Sequence, residues 1–223
     1  MPIFRLGREP VFPPVELAEP EGVLAIGGDL SVERLVVAYR SGIFPWYERG
    51  GPILWWSPDP RSVLFPDELR VTKRLARTIR SGRFEVRRDT AFERVIRACA
   101  EVVRPGEDGT WITPEMQAAY GRLHALGLAH SVETWREGRL VGGVYGVRMG
   151  RTFCGESMFH VETDASKVAL AGLVDWMREA GMTLLDTQVA NDHVLSMGAR
   201  EIPRSEYLAR LDAGCRKAEG GGP

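Results

Sequence analysis

The chain has 223 residues, 44% of them apolar and 26% charged, and a formal net charge of −1. That size holds one large domain or one domain with a small companion, and the composition supports a packed core rather than a disordered chain. The near-zero sum argues against a polyanionic partner, but its distribution does not. Between Arg70 and Arg104 stand eleven Lys or Arg residues against four acids, a local charge of +7. The other 18 basic and 26 acidic residues carry −8, so the chain is a basic strip on an acidic body.

The first sixty residues are rich in Pro, Gly and Trp and predict one helix. Ser31 is its N-cap, Val32, Leu35, Val36 and Tyr39 form its apolar face, and Gly42 stops it. The remainder reads as ordered loops, with Trp46, Trp55 and Trp56 crowded into FPWYERGGPILWWSPDPR. The pattern changes after Pro60, which sets a small N-terminal domain at 1–62 and a larger one at 63–223. Arg70, Lys73, Arg74 and Arg77 then fall at i, i+3, i+4 and i+7, with Arg80 continuing the run and Leu75 and Ile79 opposite. Such a cationic face either binds a polyanion or is simply solvated.

A strand over Phe84–Arg87, a helix over Ala91–Val102 and the loop RPGEDGTW follow. Thr113 caps the next helix, with Pro114 at its first position, Met116, Ala119, Tyr120 and Leu123 on its face, and Gly127 at its end. Three strand-like runs, His130–Trp135, Arg139–Val147 and Arg151–Ser157, form a meander. Asp164 opens a helix with Leu170, Leu173, Val174 and Met177 in register, MTLLDTQ makes a further strand, and a last helix starts at Arg204 and runs to about Leu211. The GGGP end reads as disordered.

The cysteines Cys99, Cys154 and Cys215 show no CxxC spacing, and His124, His130, His160 and His193 form no HExxH pair. Neither a metal nor another cofactor is expected from these spacings. The N-terminus lacks the charged start and apolar core of an export signal, and no apolar run nears the ~18 residues of a membrane span. A cytoplasmic protein without membrane contact is expected.

The fold class is α+β. A meander followed by a helix and another strand is the core pattern of the GCN5-related N-acetyltransferases, a mostly antiparallel mixed sheet flanked by helices. Those enzymes hold the coenzyme A pyrophosphate on the backbone amides of a glycine turn at a helix start. Here the corresponding stretch, FHVETDASKVAL, has no glycine and carries Glu162 and Asp164, which would repel a pyrophosphate. An acyl donor other than coenzyme A is expected.

Strand alternation places Asp186 and Gln188 of TLLDTQ on one face. Asp186 either accepts local N–H bonds or takes part in chemistry. Asn191 or Asp192 can cap the next turn, which leaves His193 in a helical turn. In FCGESMF the same alternation groups Cys154, Glu156 and Met158. A lone buried carboxylate is expensive, so Glu156 needs a protein donor or a cationic ligand. Trp111, between a glycine-containing loop and a helix, is either a core residue or an exposed platform for a base.

The succession GGDL (27–30), YRSGIFPW (39–46), WWSPDPR (55–61), GTWIT (109–113), FCGESMF (153–159), ASK (165–167), DTQVANDH (186–193) and SMGAREIPR (196–204) resembles the leucyl/phenylalanyl-tRNA protein transferase family over nearly the whole chain. The resemblance implies transfer of leucine, phenylalanine or methionine from aminoacyl-tRNA to proteins beginning with Arg or Lys, which directs them to the N-degron pathway. It implies no ATP and no metal, and a monomer is expected. It puts Trp111 against the terminal adenine, with Tyr39 and Trp46 along the same 3′ end. Val144, Phe153, Met158, Leu173 and Leu185 then form the aminoacyl pocket, and Asn191 joins the substrate-binding set. A larger side chain is common in the family at 144 and 173, so this pocket is roomier. Arg70, Lys73, Arg74, Arg77 and Arg80 would meet tRNA phosphates. Asp186 is expected to orient Gln188, whose amide oxygen accepts a hydrogen bond from the attacking amine. Glu156 and Asp186 would supply the negative field that selects a cationic N-terminal residue. Two rival readings are a coenzyme A-dependent acetyltransferase, which lacks its glycine turn here, and a non-catalytic tRNA-binding module, which leaves Glu156, Asp186 and Gln188 without a task.

Overall fold

The structure, a computed structural model, describes residues 3–102 and 110–219. Most of the expected loop RPGEDGTW and the GGGP end lie outside the described residues. Where loops were expected in the first sixty residues, short distant segments pair into a four-stranded sheet. β1 (Phe4–Leu6) runs parallel to β2 (Val23–Gly27), and β2 and β3 (Phe44–Pro45) each run antiparallel to β4 (Leu54–Trp56). No strand here exceeds five residues, too short for an alternation pattern to declare itself. Trp55 is fully buried and its indole N–H donates to the Gly27 carbonyl at 2.8 Å.

Between β2 and β3 lies α1 (Val32–Arg40), where the Ser31 side chain accepts the Arg34 N–H as the capping reading required. Its buried face differs from the expected one. Arg34, Leu35, Ala38 and Tyr39 are buried, while Val32 and Val36 are only partly so. The Arg34 guanidinium donates to the carbonyls of Gly7 and Arg8 at 2.8 and 3.0 Å, which ties the N-terminal segment to the helix.

The chain enters a second, seven-stranded sheet at β5 (Arg61–Leu64). α2 (Lys73–Arg80), β6 (Glu85–Arg88), α3 (Phe92–Glu101) and α4 (Pro114–Ala125) follow. The meander is β7 (Ala129–Arg136), β8 (Arg139–Met149) and β9 (Thr152–His160). α5 (Ala165–Glu179), β10 (Leu184–Gln188), α6 (Asp192–Ser196), β11 (Arg200–Ile202) and α7 (Arg204–Glu219) complete the order. The sheet reads β11-β5-β10-β9-β8-β7-β6, and every neighbouring pair is antiparallel except β9 and β10. The architecture is therefore α+β with a mostly antiparallel mixed sheet.

Alternate residues of β8 face two cores. Tyr145 and Val147 pack with α3, α4 and the small sheet, while Val144 packs with Leu170, Leu173 and Val174 of α5. Leu35 and Trp55 share the first cluster with Tyr120 and Tyr145, so the two sheets are joined by one continuous core. α5 packs tightly on β8 at Gly142: a Cβ there would lie 2.7 Å from the Ala165 Cβ and 2.8 Å from its carbonyl carbon. Thr72 caps α2, so Arg70 precedes that helix instead of sharing its cationic face.

Candidate active site

The parallel pairing of β9 with β10 stops at Cys154 and Asp186. Beyond that point the strands part around a cavity of about 550 Å³, lined by residues 155–160 on one side and by Leu185 and residues 187–191 on the other. The volume suits a small-molecule-sized group. Irregular register on both strands aims the lining. On β9, Gly155 pairs with Gly146 and Ser157 with Tyr145, which leaves Glu156 as an extra residue. On β10, Asp186 pairs with Val63 and Gln188 with Ser62, which leaves Thr187 extra. Bulges of this kind bend a strand and redirect its side chains.

Glu156 is the one carboxylate among the described lining residues. Its Oε1 accepts from the Tyr39 hydroxyl at 2.7 Å and its Oε2 from the Tyr120 hydroxyl at 2.9 Å, and the two hydroxyls also bond each other. Burial pushes the carboxyl up to about 7; the two tyrosine bonds hold it down, Asp186 raises it and Arg61 lowers it. Of the two donors the sequence left open, the protein supplies this one. Tyr39, expected beside a nucleic acid 3′ end, is 2% exposed and belongs to this cluster instead, because the helical apolar face that carries it turns inward.

Asp186 is fully buried and does not line the cavity. Arg61, itself 1% exposed, grips it in bidentate fashion, Nε to Oδ1 and Nη2 to Oδ2, both at 2.8 Å. The Tyr207 hydroxyl adds a third bond at 2.9 Å, and the Arg61 guanidinium lies over the Phe44 and Tyr207 rings. Sequence reasoning missed Arg61, although it ends the WWSPDPR motif. The expected relation of Asp186 to Gln188 takes another form. The bulge breaks the alternation, and Asp186 Oδ1 accepts the Gln188 backbone N–H at 3.0 Å rather than meeting its side chain. Gln188 adopts φ 55°, a left-handed conformation rare for a residue with a Cβ, and its buried Nε2 has no partner among the described residues. It lines the cavity.

Apolar lining comes from Val144, Met158, Leu173 and Leu185, joined by Leu64, Leu170 and Val194. Phe153, expected with them, is not part of the wall; it is buried edge-on to Trp176 at 5.8 Å. Trp111 lines the cavity half-buried, and Trp46, 41% exposed, stands at the rim against Trp56. The Trp56 indole N–H donates to the Trp46 carbonyl at 2.6 Å. Asn191 lines the cavity and caps α6 by accepting the Val194 N–H. His193 also lines it, its buried Nε2 without a partner among the described residues; burial lowers its pKa, helped by Lys167 and His160.

The family model for leucyl/phenylalanyl-tRNA protein transferase matches residues 63–212, and that for the N-terminal domain of the same transferase matches residues 28–59. The chain is 60% identical over 211 residues to the leucyl/phenylalanyl-tRNA–protein transferase of Anaeromyxobacter sp. (strain K), covering 95% of this chain and 91% of the relative. It is equally close to that of Syntrophobacter fumaroxidans, with 95% and 90% covered. The chain belongs to this family of aminoacyltransferases. Among solved structures it is similar to a GCN5-related N-acetyltransferase from Kribbella flavida, with TM-score 0.42, 11% identity and 74% of this chain and 58% of the other covered.

The basic strip of this family member is not one unbroken cationic face. Lys73, Arg74, Arg77 and Arg80 are exposed on α2, and Arg70 is exposed just before it. Arg74 pairs with Asp164 at 2.8 Å, whereas Lys73, Arg77 and Arg80 make no ion pair among the described residues. Glu162 accepts from both Arg83 and Arg136 at 2.8 Å. The two acids expected to repel an anion near α5 are thus each paired with arginine. Among the described residues no helix is long and apolar enough to cross a membrane, and no three His, Cys, Asp or Glu side chains form a metal-binding group.

Proposed function

We propose that this chain transfers leucine, phenylalanine or methionine from aminoacyl-tRNA to the α-amino group of proteins beginning with Arg or Lys. The modified proteins enter N-degron-dependent degradation in the cytoplasm, and the enzyme acts as a monomer. One observation carries the reading: among the described residues a cavity joins an apolar wall, Val144, Met158, Leu173 and Leu185, to one carboxylate, Glu156, and to Gln188, whose amide nitrogen has no partner. The wall takes the aminoacyl side chain, and the carboxylate takes the cationic side chain of the acceptor. Shape excludes β-branched side chains, although one methylene is worth only ~1–3 kcal/mol of discrimination.

The reaction is ester aminolysis. The acceptor nitrogen attacks the ester carbonyl carbon, the C–N bond forms, and the C–O bond to the ribose breaks with the alkoxide taking up the proton the amine loses. A free α-amino group has a pKa of ~7.7–8.0, so a useful fraction is neutral at physiological pH and positioning dominates. Gln188 holds the amine in line, and Asp186, anchored by Arg61, fixes the Gln188 backbone. Asp186 already has its cation, so Glu156 alone selects the acceptor. Trp111 and Trp46 stack on the terminal bases, residues 1–62 forming the small domain that supplies Trp46, while Lys73, Arg77, Arg80 and Arg70 meet phosphates.

Labelled leucyl-tRNA, a protein beginning with Arg and a control beginning with Met test the proposal. Label should pass to the first protein only and vanish after ribonuclease treatment. Equal labelling of both proteins, or transfer supported by acetyl-coenzyme A, overturns it.

A further inference from the structure

Three hydrogen-bond contacts close a ring among Tyr39, Tyr120 and Glu156: each hydroxyl meets one carboxyl oxygen, and the hydroxyls meet each other. Each contact needs one hydrogen. The two phenols bring two, and an ionised carboxylate brings none. With Glu156 ionised, one of the three contacts sets oxygen against oxygen with no hydrogen between. With Glu156 protonated, all three are satisfied in a cycle, from the carboxyl O–H to one phenol, from that phenol to the other, and from there to the second carboxyl oxygen.

We propose that Glu156 rests as a neutral carboxylic acid in this ring and releases its proton to solvent when a cationic N-terminal side chain enters the cavity. Each phenol then donates to one carboxylate oxygen, the contact between the two hydroxyls opens, and the incoming ammonium or guanidinium N–H donates to the carboxylate, so that a desolvated ion pair replaces the neutral ring. Acceptor selection thereby becomes linked to pH. The inference rests on the proposed acceptor class and adds to it a proton that is exchanged on recognition.

The surroundings favour this resting state. Burial raises both phenols well above their ordinary values, so neither is the source of the missing charge. Asp186 of β10 raises the Glu156 carboxyl, Arg61 of β5 opposes it, and Cys154 of β9 is itself pushed up by burial and stays a thiol. Tyr145 of β8 packs edge-on to Tyr120, and His160 and His193 line the same cavity. Among the described residues no cation of this set hydrogen-bonds the ring oxygens, which leaves that place to the substrate.

The test is calorimetric titration of a short peptide beginning with Arg into the full-length protein, without aminoacyl-tRNA, in buffers of different ionisation enthalpy. A second peptide whose first residue keeps the arginine side chain but lacks the α-amino group is titrated alongside, because it removes any proton change at that amine. With a resting value of about 7, the protein should release about one proton on binding this second peptide at pH 6, about half at pH 7 and about none at pH 8.5. Infrared difference spectra of the protein should lose a carboxylic-acid C=O band at pH 6 when either peptide is added, a readout independent of the calorimetry. Binding without that proton release, or with no loss of that band, overturns the inference and leaves the acceptor class standing. No preference for peptides beginning with Arg over those beginning with Met overturns the acceptor class itself.

Discussion

Replacing Asp186 by Asn keeps the shape of the side chain but removes the charge that balances Arg61. Four donors converge on the Asp186 carboxylate: Arg61 Nε and the Gln188 N–H on Oδ1, Arg61 Nη2 and the Tyr207 hydroxyl on Oδ2. An amide nitrogen at the Oδ2 position lets the Tyr207 hydroxyl turn to accept, but sets N–H against Arg61 Nη2. Removing one partner of a buried pair costs about 3–5 kcal/mol. Arg61 keeps its bond to the Gly42 carbonyl at 3.2 Å and its two ring contacts, so the lower end, about 3 kcal/mol, is expected. Urea unfolding of Asp186→Asn, Arg61→Met and the double variant measures it. The two single losses should exceed the double loss by about 2 kcal/mol, since each removes the same pair. Below its unfolding temperature, Asp186→Asn should also lose kcat with little change in KM for aminoacyl-tRNA, because the side chain that accepts the Gln188 N–H is no longer clamped by Arg61 at both ends. Additive losses, or a single variant within about 0.5 kcal/mol of the wild type, refute the reasoning.

Glu156 binds a proton in the native state up to about pH 7, whereas its ordinary value is 4.5. Its contribution is therefore fully present below 4.5 and is lost as pH rises through 7, so the Glu156→Gln variant should gain about 2 kcal/mol on the wild type between pH 5 and pH 8 in chemical unfolding. Reversing Lys73, Arg77 and Arg80 to Glu should weaken tRNA binding and lower its salt slope by about two to three, and Arg74→Glu should do less because Asp164 already occupies Arg74; filter binding across a salt series decides this. Leu173→Phe, on the cavity wall, should lower kcat/KM for phenylalanyl-tRNA about tenfold relative to leucyl-tRNA, and an unchanged ratio places the aminoacyl side chain elsewhere.

Helices with local punctuation were legible in the sequence. Ser31 and Thr113 cap α1 and α4 as their spacing required, and the alternation of the meander named all three strands to within a few residues. What failed to show depends on partners distant in sequence. The small sheet pairs strands of two to five residues whose partners no local pattern identifies. Arg34 and Arg61 look like surface residues until their acceptors arrive from 26 and 125 positions away. At Tyr39 two lines of reasoning diverged, since the helical period placed it inward and the resemblance placed it along a 3′ end. The period prevails because the ring carries burial and two hydroxyl contacts that an exposed stacking role would forgo.

The strict two-residue period misplaced both chemistry-bearing strands for one reason. It grouped Glu156 with Cys154 and Asp186 with Gln188, yet each strand inserts an extra residue at that step. Gly146 makes the first insertion possible: a Cβ there would stand 2.1 Å from the Cys154 carbonyl oxygen, so the partner strand can press against the bulge only where no side chain exists. The second rests on the Asp186 carboxylate, which holds the Gln188 N–H and with it a backbone angle that residue would otherwise avoid. Both irregularities fall just past the last pair joining β9 to β10. Regular pairing on either strand would have carried the ladder onward and closed the gap. The cavity exists because two bulges, one licensed by a glycine and one by a buried ion pair, end that ladder at the same level.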